Sequence, residues 1–168
     1  MQNDPLEQER RYTGSTKLDT DKKTPWYGAG LHFKCTCCGN CCSGPGEGVI
    51  WITKPEIEFL AEFLQLSVEE VHEKYLRPEG ARTSIDEHPL TKDCIFLKRV
   101  GGQRQCTIYP VRPNQCRTWP FWASNLASPR AWNENTQDCP GVNRGPVHTQ
   151  ADIEEQKKQT RWWTDEKT

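Results

Sequence analysis

The chain has few apolar residues and no long apolar run. Of its 168 residues, 34% are hydrophobic and only one is methionine, and the mean hydropathy is −0.87. No segment approaches the roughly 20 consecutive apolar residues that a membrane-spanning helix needs, so we expect a soluble protein with no membrane partner. A chain of this length has room for one domain, and its composition predicts a small apolar core.

The chain also lacks an excess of charge of either sign. Its 22 Lys and Arg residues and 23 Asp and Glu residues leave a net charge of −1. This balance provides no basic field for a phosphate backbone, so we expect no nucleic-acid partner. The polar segment 1–25 contains no apolar stretch of the kind that a secretory signal peptide needs. We therefore expect a cytoplasmic protein, with residues 1–27 forming a mobile arm.

Cysteine, in contrast, is abundant. The chain has nine cysteines, and five of them lie in the segment KCTCCGNCC. Within this segment Cys35, Cys38, Cys41 and Cys42 form the pattern CxxCxxCC. Cysteines spaced in this way can direct their thiolates toward one centre, and the spacing recurs in zinc and iron–sulfur sites. The pattern therefore predicts metal binding.

Two details favour an iron–sulfur cluster slightly over zinc. Zinc sites usually take their ligands from separated pairs, whereas the bacterial ferredoxin run uses successive CxxC steps and ends in a Cys-Pro; here Pro140 follows Cys139. A 4Fe–4S cluster or zinc would suit the ligands. Because Cys41 and Cys42 are adjacent, we expect their side chains to diverge toward two different centres.

A disulfide framework is the main alternative. Such frameworks are typical of small secreted domains with an even number of cysteines, whereas this chain has nine. Disulfides between neighbours within the cluster would also be strained. A redox-active dithiol is a further alternative. Metal binding explains the spacing better than either.

The remaining sequence predicts a small, irregular α+β domain stapled by metal, with short helices, a β-hairpin and long loops. A strand is expected at 49–52, and two helices should follow, with capping boxes at Thr53/Glu56 and Ser67/Glu70. We expect a loop at 78–93, a hairpin with one thiol on each strand around Gly101-Gly102, and a short helical turn near 113–119. Residues 123–148 should be irregular.

The expected organisation has three parts. Residues 28–146 should form the cysteine-cluster domain, between the arm at 1–27 and a C-terminal helix and tail at 147–168. The terminal helix is predicted at 151–163, with Ile153 and the pair Trp162-Trp163 as its apolar residues.

The segments FKCTCCGNCC, DCIFL, QCTIYPVRPNQCRTWPFW and DCPG occur in this order. Together they resemble the cysteine-cluster family often called YkgJ-like, a CxxCxxCC zinc- or iron-chelating domain, over about residues 31–145. The resemblance implies eight metal ligands, enough for two four-thiolate centres: Cys35, Cys38, Cys41, Cys42, Cys94, Cys106, Cys116 and Cys139. Cys37 departs from the family pattern and is either a bystander or the true ligand in place of Cys38.

Four-thiolate centres carry a formal charge of −2, so we expect nearby donors and cations. The candidate cations are Lys34, Arg104, Arg112 and Arg117, and the candidate backbone donors are Gly39, Gly44, Gly46 and Gly48. Surface ion pairs are an equal alternative for Arg112 and Arg117. His32 could replace a thiolate, although a structural role is favoured. The aromatic residues Trp119, Phe121 and Trp122 should pack in the core or shield the metal from water.

Three functional hypotheses follow. The first is a metalloprotein whose iron–sulfur cluster, alone or with zinc, serves electron transfer or sensing with a protein redox partner. The second is a zinc-stapled interaction module without catalysis. The third, implied by the flagellin lysine N-methylase relatives of the family, is an enzyme or subunit that modifies a protein substrate. S-adenosylmethionine is not expected as a cofactor, because little chain remains outside the cysteine domain to bind it.

Overall fold

The structure, a computed structural model, describes residues 24–160. These residues form one α+β domain of short helices and small antiparallel sheets, which confirms the expected fold class. Residues 1–23 and 161–168, which include most of the predicted arm and the pair Trp162-Trp163, lie outside the described residues. No helix within 24–160 has the length and apolar character needed to cross a bilayer.

The strands are short and are separated by long loops. They are β1 (Leu31–Phe33), β2 (Ile50–Trp51), β3 (Leu76–Glu79), β4 (Arg82–Ile85), β5 (Leu97–Val100), β6 (Gln103–Cys106) and β7 (Val142–His148). The helices are α1 (Lys54–Leu64), α2 (Val68–Tyr75), α3 (Asn114–Arg117), α4 (Pro129–Glu134) and α5 (Gln150–Gln159). Single turns of 3-10 helix lie at Asn40–Cys42, Tyr109–Val111 and Asn135–Gln137.

Capping chemistry sets the starts of α1 and α2, as the sequence predicts. The side chain of Glu56 accepts from the backbone N–H of Thr53 at 2.8 Å, and Glu70 accepts from that of Ser67 at 2.9 Å. Each interaction pairs a donor that the first turn of a helix would otherwise leave free. Both predicted capping boxes are confirmed.

The prediction of a loop at 78–93 was wrong. Helix α2 ends at Tyr75, and the chain continues directly into the β3–β4 hairpin. Strand β4 pairs with both β3 and β2, so the three strands form one antiparallel sheet in the order β2-β4-β3. Pairing with strands on both sides stabilises β4, a long-range effect that its own short and mostly polar sequence does not reveal.

The predicted hairpin around Gly101-Gly102 is confirmed in β5 and β6. The expectation of one thiol on each strand was wrong. Cys106 ends β6, but Cys94 precedes β5 and forms an isolated antiparallel bridge with Glu87. The short helical turn predicted near 113–119 is confirmed as α3.

The prediction that 123–148 is irregular was also wrong. This part of the chain contains α4, whose Trp132 is buried, and the seven-residue strand β7. Strand β7 pairs antiparallel with β1, more than a hundred residues earlier in the chain, and the register shifts between His32 and Phe33. Helix α5 then begins at Gln150, one residue before the predicted start.

The buried side chains form two apolar clusters. The first apolar cluster is mostly aliphatic and consists of Ile52, Ile57, Leu60, Ala61, Val71, Leu76, Ile85, Cys94, Phe96 and Ile108. The second apolar cluster is rich in aromatic residues and consists of Tyr27, Leu31, Phe33, Phe121, Leu126, Trp132, Cys139, Val142 and Ile153. Each cluster contains one buried cysteine, Cys94 in the first and Cys139 in the second.

Candidate metal centre

All nine cysteines line one cavity of about 690 Å³. Their exposure differs widely. Cys94 and Cys139 are buried, Cys38, Cys42, Cys106 and Cys116 are half-buried, and Cys35, Cys37 and Cys41 are exposed. All nine are free thiols. The fold therefore brings cysteines from five separate segments to one place, including all eight that the family resemblance implies.

The cysteine-rich segment is held against the segment that carries Cys139. The backbone N–H of Lys34 donates to the carbonyl of Gly141 at 3.2 Å, and Nδ2 of Asn40 donates to the carbonyl of Asp138 at 2.7 Å. A Cβ on Gly141 would lie 2.1 Å from the Lys34 oxygen, so only glycine permits this approach. These contacts explain why Cys139 reaches the cluster across about a hundred residues of sequence.

Two of the other downstream cysteines, Cys94 and Cys106, are positioned by the first apolar cluster. The backbone N–H of Cys94 donates to the carbonyl of Cys42 at 2.8 Å. Cys106 lies at the end of β6 opposite Leu97, and Cys116 lies in α3. Cys42 and Cys106 also pack against the first apolar cluster. Three of the elements that carry these thiols thus lie against the same apolar surface.

Cys41 and Cys42 do not diverge as expected. Their Sγ atoms lie 3.8 Å apart and form a hydrogen bond. This separation is far longer than the roughly 2.05 Å of a disulfide. It equals the spacing, about 3.8 Å, of two sulfurs bound at about 2.3 Å to one tetrahedral metal. The 3-10 turn over Asn40–Cys42 makes this convergence possible because it tightens the backbone at both residues.

The protonation of the thiols follows their surroundings. The hydrogen bond with Cys42, aided by the positive charge of Arg112, lowers the pKa of Cys41 to about 7. The same hydrogen bond, together with burial, raises the pKa of Cys42. Burial raises the pKa of Cys94 to about 11. The pKa values of Cys106 and Cys116 are raised by burial as well. A metal that binds these four thiols must displace their protons.

The residues present fit a thiolate-bound metal by the chemistry of their donors. Thiolates are the preferred protein ligands of zinc, iron–sulfur clusters and other soft centres. Trp119, which also lines the cavity, has a buried Nε1 atom without a hydrogen-bond partner, so this wall retains a free donor. Within residues 24–160 no three His, Cys, Asp or Glu side chains already form a metal cage. Binding would therefore have to draw the thiols together.

Of the four predicted cations, two act near the thiols. Arg104 lines the cavity, where its guanidinium donates to Oγ of Ser43 at 2.6 Å and to Oδ1 of Asn40. The positive charge of Arg112 helps to lower the pKa of Cys41. Arg117 instead lies 3.9 Å from Glu56, which supports the alternative of a surface ion pair for this residue.

The glycine hypothesis was wrong for two of its residues. The N–H of Gly44 donates to Asp93 Oδ1 at 2.9 Å, and that of Gly48 donates to Glu87 Oε1 at 2.6 Å. Carboxylates rather than sulfurs therefore hold this loop. The N–H···S bond that the structure does contain runs from the backbone of Cys37 to Sγ of Cys35, at 3.5 Å.

His32 has the structural role that the sequence favoured. Its Nδ1 lies 2.7 Å from the carbonyl oxygen of Gly145, so this nitrogen donates a hydrogen and connects β1 to β7. Phe121 is buried in the second apolar cluster with Trp119 packed against it, and Trp119 and Trp122 both line the cavity. The aromatic residues thus serve as core and as cavity wall.

Sequence reasoning missed Tyr109. Its side chain lines the cavity, where burial and the neighbouring residues Cys35 and Cys37 raise its pKa. The guanidinium of Arg112 stacks over its ring, 3.5 Å from the centroid, and Nε of Arg112 donates to its carbonyl at 2.9 Å. The three-residue spacing of a tyrosine and an arginine in IYPVRP was the available signal, because that spacing brings two side chains together in a tight turn.

Comparisons with known proteins agree with this site. The model of the CxxCxxCC family, described as "Putative zinc- or iron-chelating domain", matches residues 34–140, a range that contains all nine cysteines. An uncharacterized protein of Methanocaldococcus jannaschii is 32% identical over 108 residues, which are 62% of this chain and 54% of that protein. The chain thus spans about half the length of this curated relative. No solved structure matches the chain.

Proposed function

The chain belongs to the CxxCxxCC family of zinc- or iron-chelating domains, and from this premise we propose that it holds two thiolate-bound metal centres. The eight proposed ligands are Cys35, Cys38, Cys41, Cys42, Cys94, Cys106, Cys116 and Cys139. The observation that carries the proposal is the single cavity of about 690 Å³ that all nine thiols line. Metal ions are then the partners of this site.

The spacing of Cys41 and Cys42 favours a centre in which one metal takes two thiolates. Zinc and the irons of a 2Fe–2S cluster bind thiolates in this way, whereas a 4Fe–4S cubane takes one thiolate per iron. The 3.8 Å between the two sulfurs suits the first arrangement. We therefore place Cys41 and Cys42 on the same metal and favour zinc for that centre.

Bound zinc would supply a crosslink between segments that are distant in the sequence. The protein's own residues prepare the site: the Lys34–Gly141 and Asn40–Asp138 contacts hold the cysteine-rich segment in place. The charge of Arg112 stabilises the Cys41 thiolate. Trp119 and Trp122 form part of the cavity wall.

A second candidate is an iron–sulfur protein that serves electron transfer or sensing. The order CxxCxxC followed by the pair Cys139-Pro140 favours it, because bacterial ferredoxins combine the same two features. A reducible cluster would need a protein redox partner. The two candidates differ in colour, since an iron–sulfur protein is brown and a zinc protein is colourless.

Anaerobic purification with metal analysis and an absorption spectrum tests the proposal. We expect about two zinc ions per chain and no visible absorption. Brown protein with iron and acid-labile sulfide would favour the second candidate instead. Protein without stoichiometric metal, whose thiols titrate as disulfides, would refute both.

Matched variants then test the ligands. The Cys35→Ser, Cys38→Ser and Cys41→Ser variants should each lose metal, because serine is a poor ligand for a soft centre. Cys37→Ser, which changes a neighbouring exposed thiol, should retain the full metal content. If Cys38→Ser retained it and Cys37→Ser lost it, the ligand would be Cys37.

A further inference from the structure

We propose that the two centres differ in function: a group of thiols on and beside the first apolar cluster holds a structural metal, and a second group, from the start of the cysteine-rich segment and Cys139, holds a metal that exchanges with external thiol ligands. The inner thiol group is Cys41, Cys42, Cys94, Cys106 and Cys116. The outer thiol group is Cys35, Cys38 and Cys139, and Cys37 is a neighbouring thiol that is not a ligand. This inference rests on the proposed function, because it assigns different properties to the two centres proposed there.

The inner thiol group is held by the first half of the core. Cys94 is a buried member of the first apolar cluster, and Cys42 and Cys106 pack against that cluster. The Cys94–Cys42 backbone hydrogen bond and the Cys41–Cys42 sulfur contact of 3.8 Å join three of the five residues. Cys116 lines the same cavity as these four thiols. A metal bound here would join these elements and contribute to the fold.

The outer thiol group has a different setting. Cys35 and Cys37 are exposed and Cys38 is half-buried. The Cys37 N–H contacts Sγ of Cys35, and Tyr109 lines the same cavity as both residues. Only Cys139 is buried, and the Asn40–Asp138 and Lys34–Gly141 contacts hold its segment beside the others. Two accessible thiols, Cys35 and Cys38, and the buried Cys139 form a site with an open side.

The open side faces a second cavity of about 570 Å³. Its lining includes Cys37, Cys38, Cys106, Arg104 and Tyr109. An incoming thiol or chelator can reach the outer group through this space, attracted by the positive charge of Arg104 if it is anionic. No described residue of the inner group other than Cys106 lines this cavity.

Exchange at the outer group needs no redox step. The thiol of the incoming ligand binds the metal as a thiolate, the Cys35 thiolate leaves the metal, and the proton that the incoming thiol loses passes to Cys35. No electron is transferred.

Zinc release to a chromophoric chelator tests the inference with the full-length zinc-loaded protein. We expect two phases of about one zinc each: a fast phase from the outer group and a slow phase from the inner group. Cys35→Ser should abolish the fast phase and leave the amplitude and rate of the slow phase unchanged. Lys98→Ser, an exposed change on β5 outside both cavities, serves as the control and should keep both phases.

Cobalt substitution provides a second measurement that does not depend on release rates. Two Co²⁺ ions should bind the wild type and one should bind Cys35→Ser, as counted from the sulfur-to-cobalt absorption band. Release of both zinc ions in one phase would overturn the inference, and so would loss of the slow phase in Cys35→Ser. Protein that binds no metal at all would instead refute the proposed function, so the two failures are distinguishable.

Discussion

The two apolar clusters are built in different ways. The first is mostly aliphatic and is formed by elements close together in sequence, with α1, α2 and the β2-β4-β3 sheet all between residues 50 and 85. The second is aromatic and joins the two ends of the described chain through the β1–β7 pairing and Ile153 of α5. The first apolar cluster can therefore form by local contacts, whereas the second requires closure of a long loop. A metal bound by thiols from both halves would lower that cost.

The largest effect should come from removing the metal. Metal binding contributes on the order of 10 kcal/mol in small zinc domains, so a chelator should lower the melting temperature sharply. Because β1, β7 and α5 depend on long-range closure, we expect the second cluster to lose its order first. Thermal unfolding followed by tryptophan fluorescence, in reductant with and without the chelator, measures this. If the chelator-treated protein is metal-free but melts at the same temperature, metal does not stabilise the fold as expected.

Truncation of one large side chain in each apolar cluster should show whether the two clusters unfold together. Leu60 and Trp132 are 0% and 2% exposed, and alanine at either position should cost roughly 3–5 kcal/mol. If metal couples the halves, both variants should unfold in one transition measured by urea titration. Phe59→Ala on α1 is the matched control, because Phe59 is 65% exposed and its loss should change stability by about 0.5 kcal/mol or less. Separate transitions in the metal-loaded variants would mean that the halves are independent.

The buried amide of Gln115 connects α3 to β2 and the residue before it. Oε1 of Gln115 accepts from the backbone N–H of Trp51 at 2.7 Å, and its Nε2 donates to the carbonyl of Val49 at 2.8 Å. Gln115→Ala would leave both backbone groups unpaired and should cost roughly 1–3 kcal/mol. Hydrogen exchange should show faster exchange of the Trp51 amide. Unchanged exchange there would mean that the Gln115 amide does not stabilise β2.

The smallest expected effect is the pH dependence of zinc affinity. It should differ between the thiols on the first apolar cluster and Cys41. The pKa of Cys94 is raised to about 11, so at neutral pH zinc must displace its proton. Zinc affinity should therefore rise with pH by about tenfold per unit for each displaced proton. Cys41, with a pKa of about 7, should contribute only below that pH. Competition titrations between about pH 6 and 8 measure the slope, which Cys94→Ser should reduce and Cys37→Ser should not. A slope of zero would contradict the raised pKa values.

Local sequence patterns predicted the elements around the first apolar cluster better than those around the second. The capping boxes at Thr53 and Ser67, the hairpin turn at Gly101-Gly102 and the helical turn containing Cys116 all depend on residues within a few positions of each other. These elements could be read from spacing alone. The errors at 78–93 and 123–148 have one cause, because β4 and β7 are strands only through their partners. Short strands obtain most of their stability from neighbours.

The candidate site was also predicted only in part from the sequence. The CxxCxxCC spacing and the downstream cysteines identified the residues that line the cavity, because ligand type and spacing are properties of the sequence. Tyr109 and the contact between Cys41 and Cys42 were missed or misjudged. Both depend on the path of the backbone in single turns, where one residue of difference redirects a side chain.

The amino-acid sequence by itself determined that this protein would concentrate thiols and bind metal, because cysteine chemistry and spacing are local facts. It also determined the starts of α1 and α2. Only the tertiary structure decided which thiols are buried and which face solvent, and that Cys41 and Cys42 point toward each other. Burial and side-chain direction arise from contacts between segments up to a hundred residues apart, such as Lys34 with Gly141. No local pattern encodes such contacts.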